Sequence, residues 1–154
     1  MGQIQSGTET VDLEVRVKAT PETLWGFFTE PDKMVRWKGR KADLDPRPGG
    51  AYRVEINDQA IAAGEYVELE PFSRILLTWG WEGHPEVPPG STRLEISLEA
   101  DGDETVVRLV HHGLPNANQR AEHTDGWNHY LQRLSVAGSG GDAGPDPNES
   151  AGQM

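Results

Sequence analysis

The sequence predicts an α+β domain: a curved antiparallel sheet wrapped around one long C-terminal helix, with two short helices after the first strand. Three observations carry this. Five strand-like runs lie between residues 51 and 112, most of them joined by short turn-rich links, a spacing that favours consecutive hairpins and antiparallel pairing. A lone alternating run, residues 11–18, precedes a helical stretch. A final segment, residues 116–137, keeps its apolar residues at helical spacing. One helix cannot fill a wide sheet's inner face, so a concavity is expected between the two.

In "VDLEVRVK", Val11, Leu13, Val15 and Val17 alternate with charged residues, as in a half-buried strand. "ATPETLWGFF" follows, with Thr20 suited to an N-cap, Pro21 to the first helical position and Glu22 to the first turn. "EPDKMVRW" reads as a second short helix starting at or after Pro31 and ending near Trp37. Both are too short to stand alone and must lean on a sheet. "DPRPGG" (45–50) is turn chemistry. The strand runs are "AYRVEI" (51–56), "GEYVELEP" (64–71), "RILLTWGW" (74–81), "STRLEISLEA" (91–100) and "ETVVRLVHH" (104–112), within about six strands expected after the first. "EGHPEVPPG" (82–90) is a longer Pro/Gly-rich loop, readable as a lid or as a tolerated insertion. The last helix carries Trp127, Tyr130, Leu131 and Leu134 on one stripe, with His123 one turn earlier and His129 turned toward water. The domain organisation is a flexible N-terminus at 1–9, one ligand-binding domain at 10–137 and a disordered acidic tail at 138–154.

The chain has 154 residues, enough for one core. Its net charge of -11, from 25 acidic and 14 basic residues, opposes phosphate backbones and anionic lipid, so nucleic acid and membrane are not the expected partners. There is no cysteine, hence no disulfide or thiolate chemistry. "MGQIQSGTET" shows no secretory pattern and no apolar run is long enough to span a bilayer. A soluble, cytoplasmic protein is expected.

Five stretches in order, "ATPETLWGFFTEPDKMVRW", "DPRPGGAYR", "GEYVELEPFSRILLTWGW", "TVVRLVHHGLP" and "HTDGWNHYLQRL", resemble the helix-grip fold of the START and birch-pollen-allergen superfamily (SRPBCC). Within it, they are most similar to the branch related to the C-terminal domain of the activator of heat-shock protein 90 ATPase. The resemblance spans roughly residues 10 to 136. It implies a protein that binds a small hydrophobic or aromatic molecule between sheet and helix without a cofactor, with a stress-related role. It also leaves open a polyketide cyclase/dehydratase-like enzyme and a co-chaperone-like interaction module, and it admits a homodimer. Fold alone does not choose among these.

The candidate ligand-binding residues are Trp37, Trp79, Trp81, His111, His123, Trp127 and Tyr130. Trp79 lies mid-strand, as core or cavity wall. Trp81, at the strand end beside the loop, is the better candidate for a pocket mouth. Trp127 roofs the space and Trp37 closes one end. His111 shares a face with Thr105, Val107 and Leu109, so it should point inward. It reads either as a core histidine held by a hydrogen bond or as a handle and acid/base for the cyclase reading. His111 and His123 could meet, but two histidines without a third ligand do not make a metal site. By parity Glu65 could face inward with Val67, and Arg53 outward.

Overall fold

The computed structural model describes residues 10–151. Strand β1 (Thr10–Val17) leads into helices α1 (Pro21–Thr29) and α2 (Pro31–Met34). Six strands follow: β2 (Lys41–Leu44), β3 (Ala51–Glu55), β4 (Ile61–Glu70), β5 (Arg74–Trp81), β6 (Thr92–Asp101) and β7 (Glu104–His112). Helix α3 (Ala117–Gly138) and a short α4 (Pro147–Ala151) complete the chain. The seven strands form one antiparallel sheet in the order β1-β7-β6-β5-β4-β3-β2. This is the predicted α+β, helix-grip architecture.

Local chemistry sets the element ends. Thr20 caps α1 by accepting from the Thr23 amide, with Pro21 at the first helical position. Asn116 caps α3 through the Gln119 amide at 2.9 Å. Strands β1 and β2 lie at opposite edges, so the segment between them must cross the sheet. Helices α1 and α2 make that crossing, and they bury Leu24, Phe27, Phe28 and Met34. Two hydrogen bonds fix them there: Tyr66 Oη donates to the Phe28 carbonyl at 2.9 Å, and Trp37 Nε1 donates to the Phe27 carbonyl at 2.9 Å.

The inward rows follow the alternation. Thr105, Val107, Leu109 and His111 of β7 are all buried, as are Ile75, Leu77 and Trp79 of β5. Parity misleads in β4. A register shift between Tyr66 and Glu68 marks a bulge, and a bulge reverses which residues face in. Tyr66 is therefore buried and Glu65 faces water. Arg53 faces outward as expected, paired with Glu82 at 2.8 Å.

The tail departs from its expected disorder. Beyond α3 the chain folds back, and Arg133 donates to the carbonyls of Gly144 at 2.9 Å and Ala143 at 3.2 Å. The buried Asp146 carboxylate accepts from Tyr130 Oη at 2.7 Å, His129 Nε2 at 3.0 Å and the Asn148 amide at 3.0 Å. Asn57 Nδ2 donates to the Asn148 carbonyl at 2.8 Å. The tail's few apolar residues, chiefly alanine and proline, do not signal this; polar groups from distant elements do the anchoring. His129 is thus partly covered by the tail rather than simply turned to water. The expected flexible segment 1–9 lies outside the described residues, as do residues 152–154.

This strap is testable. Asp146→Ala removes the acceptor for two side chains and is expected to cost about 1–3 kcal/mol. Limited proteolysis should then cut within 139–149. An unchanged urea midpoint and an uncut tail would show that the carboxylate anchors nothing.

Candidate functional site

A cavity of about 660 Å³ opens between the sheet and the N-terminal half of α3. Strand β5 supplies Trp79 and Trp81, and α3 supplies Gln119, His123, Gly126, Trp127 and Tyr130. The β3–β4 turn adds Ile56, Gln59 and Ala60, and the 82–90 loop adds Glu82 to Pro85. Lys38 lies after α2, and Asn148 comes from the tail. The floor is buried: Trp79 is 0%, Lys38 2% and Trp127 3% exposed. Glu82, Gly83, Glu122 and Asp125 form an exposed rim.

The loop that could be read as a lid is pinned. Trp81 N donates to the Val87 carbonyl at 2.7 Å, and Val87 is fully buried. The Pro88 carbonyl sits where a Cβ on Gly80 would stand, at 1.8 Å, so the close approach requires glycine there. The Glu86 carboxylate accepts from Asn116 Nδ2 and Gln119 Nε2. These bonds make the loop a fixed wall of the mouth.

The two inward histidines meet, their rings 5.4 Å apart and nearly perpendicular. Each is held by a tryptophan. Trp127 Nε1 donates to His111 Nδ1 at 3.1 Å. His111 Nε2 must then carry the proton, and it donates to Thr92 Oγ1 at 2.8 Å, which in turn donates to the Trp79 carbonyl at 2.8 Å. Trp81 Nε1 donates to His123 Nε2 at 2.9 Å, leaving His123 Nδ1–H to donate to the Gln119 carbonyl at 2.8 Å. Burial and the neighbouring His123 push His111 down to about 3. Burial also lowers His123. Protonating His111 would set a second N–H against that of Trp127.

His111 is therefore the core histidine of the two sequence readings. It is fully buried, stands behind the cavity wall, and has both nitrogens engaged. The acid/base role that the cyclase reading gave it does not fit, because no nitrogen is free to exchange a proton with a bound molecule. Trp37 is also corrected. It is 2% exposed, packs edge-on against Phe28 and donates to Phe27, away from the cavity. The structure places Trp79, Trp81, His123, Trp127 and Tyr130 around the cavity. Among the described residues no group of three or more His, Cys, Asp or Glu is arranged to hold a metal ion.

Sequence reasoning missed Lys38. Its ammonium nitrogen lies 4.8 Å from the ring centres of Trp79 and Tyr130, 5.2 Å from Trp127 and 5.5 Å from Trp81. Four π faces attract a cation, but they cannot replace water fully. Burial pushes Lys38 down to about 7, against the pull of Asp146. In "RWKGRK" it stands among three other cations and reads as one more solvated charge. Only the turn after α2 and the positive φ of Gly39 (89°) direct the chain so that this one is enclosed.

The Activator of Hsp90 ATPase homolog 1-like protein model matches residues 18–138. The chain belongs to the AHSA1-like family. A Rhizobium etli AHSA1-like protein, solved by NMR, is 42% identical to it, with 90% of this chain and 86% of that one covered and a TM-score of 0.72. CalU16 from Micromonospora echinospora, solved by crystallography, is 26% identical over 85% of this chain and 76% of its own, with a TM-score of 0.69. An Aha1 dimer from Colwellia psychrerythraea shares the fold at 18% identity, with 86% of this chain and 97% of that one covered and a TM-score of 0.76. No curated protein matches the chain. In the described part of this AHSA1-like protein, no helix is long and apolar enough to cross a membrane.

Proposed function

We propose that this AHSA1-like domain binds a small hydrophobic, aromatic molecule in the cavity between its sheet and α3, as a cytoplasmic binding protein. The observation that supports it best is the cavity itself. A space of about 660 Å³ falls in the range of small-molecule sites, and rings from β5 and α3 line it. Trp79 and Trp127 centroids stand 5.0 Å apart at its floor, and Trp81 meets Trp79 edge-on at 5.5 Å. The three rings pack on one another as a single aromatic cluster, an apolar surface for a ligand to rest against.

Gly126 supplies the test. It lines the cavity from α3, and a Cβ there meets nothing within 4 Å. Gly126→Ala is expected to stabilise the helix by about 0.5–1 kcal/mol and to spare binding. Gly126→Phe places a ring in the cavity and is expected to abolish the tryptophan fluorescence change seen with a panel of lipophilic ligands. Native mass spectrometry of the purified chain would identify any retained molecule. Flat fluorescence across the panel, with no retained molecule, would reject the binding reading.

A second reading rests on family membership alone. The family's description names activation of the Hsp90 ATPase, so the domain serves under that reading as a chaperone-contact module, acting as a homodimer like the Colwellia neighbour. Unchanged Hsp90 ATPase rates and a monomeric mass by light scattering would remove it.

A further inference from the structure

We propose that the cavity is built for a hydrophobic carboxylate, with Lys38 as its counter-ion and the Trp79 indole N–H as a second donor. This rests on the binding reading above and names the ligand class for that same site. Three side chains of the cavity wall have polar atoms left over. Trp79 Nε1 has no hydrogen-bond partner although the residue is 0% exposed. Gln119 Oε1 has none either, although Gln119 is 4% exposed and its amide nitrogen is spent on Glu86. Among the described residues, Lys38 Nζ has rings around it but no hydrogen-bond acceptor and no carboxylate at ion-pair distance.

Buried polar atoms are nearly always paired, and each exception asks for a reason. Here two such exceptions, Trp79 Nε1 and Gln119 Oε1, share one cavity with an ammonium that only rings surround. The two donors, an ammonium and an indole N–H, match the two oxygens of a carboxylate, while the surrounding rings match an apolar body. Gln119 Oε1 remains to accept from a hydroxyl or N–H elsewhere on the ligand. Asp146 does not satisfy the amine: its carboxylate is already held by Tyr130, His129 and the Asn148 amide. The acidic rim does not oppose this strongly. Glu82 is paired with Arg53, Glu122 accepts from Asn118, and both are exposed, as is Asp125. Exposed charges are screened over about 8 Å at physiological ionic strength, whereas the floor is not.

The test uses 1-naphthaleneacetate and its neutral isostere 1-naphthaleneacetamide, titrated against the full chain by tryptophan fluorescence and calorimetry at pH 7. The acid is expected to bind roughly tenfold or more tighter than the amide, and Lys38→Met is expected to erase that preference while keeping the amide's affinity. Equal binding of both by the wild-type chain overturns the carboxylate assignment and leaves the cavity reading standing. Binding of neither overturns both. Retention of the preference in Lys38→Met places the anion elsewhere and also overturns it. Should Lys38→Met fail to fold, the wild-type comparison still decides.

Discussion

Replacing Lys38 with methionine stabilises the folded chain by about 2–4 kcal/mol at pH 6, and the gain fades as pH rises toward 10.5. The amine falls from its ordinary 10.5 to about 7 on folding, chiefly because burial strips its water. Between those two pH values the unfolded chain holds a proton that the folded chain has released. Stability therefore rises with pH across that window, and the penalty is fully present below about pH 7. Methionine keeps the length of the stem against Trp79, Trp127 and Tyr130 and removes the charge. His111, His123, Tyr130 and Asp146 also surround the site, and burial raises the buried tyrosines Tyr52 and Tyr66. The readout is thus the difference in urea-unfolding free energy between variant and wild type at each pH. A variant no more stable at pH 6, or a difference that stays flat to pH 10, would refute it. A lysine kept at such expense is better explained by a ligand than by packing.

His111→Ala behaves in the opposite sense. At pH 7 it is expected to cost about 3–5 kcal/mol, from the space left in the core and from the Trp127 N–H left unpaired, while the Thr92 hydroxyl keeps the Trp79 carbonyl. The wild-type advantage then shrinks in acid. His111 sits near 3 when folded against an ordinary 6.5, so the unfolded chain takes up a proton that the folded chain refuses. That stability is complete above pH 6.5 and is lost as pH falls toward 3. The gap between variant and wild type should narrow by several kcal/mol across that range, measured by denaturant unfolding at pH 7, 5 and 4. A cost under about 1 kcal/mol at pH 7, or a gap independent of pH, would mean that the Trp127–His111–Thr92 chain is not the anchor it looks to be.

Much of this was legible beforehand. The alternation in "RILLTWGW" and "ETVVRLVHH" placed Ile75, Leu77, Trp79, Leu109 and His111 inward, and each is buried. The stripe from His123 to Leu134 described the buried face of α3. Periodicity reaches that far because it records only which side of an element meets the core. It failed where geometry is interrupted. The bulge in β4 exchanged the faces of Glu65 and Tyr66, and four residues of β2 carry too short a pattern to recognise.

What the sequence by itself determined was the fold: the element order, the antiparallel sheet, the long helix and the concavity they leave, all consequences of local period and turn chemistry. The tertiary structure alone decided the site. Trp81, expected at the mouth as the freer tryptophan, spends its N–H on His123, whereas Trp79, expected to be mostly structural, keeps an unpaired one. Trp37 turned away to bond Phe27, the acidic tail folded back through Asp146, and a lysine from a basic run was enclosed by four rings. The physical reason is common to these cases. Hydrogen bonds, ring contacts and desolvation depend on partners in other elements, from 10 positions away for Trp37 and Phe27 to 92 for Lys38 and Tyr130, and no local pattern carries that information.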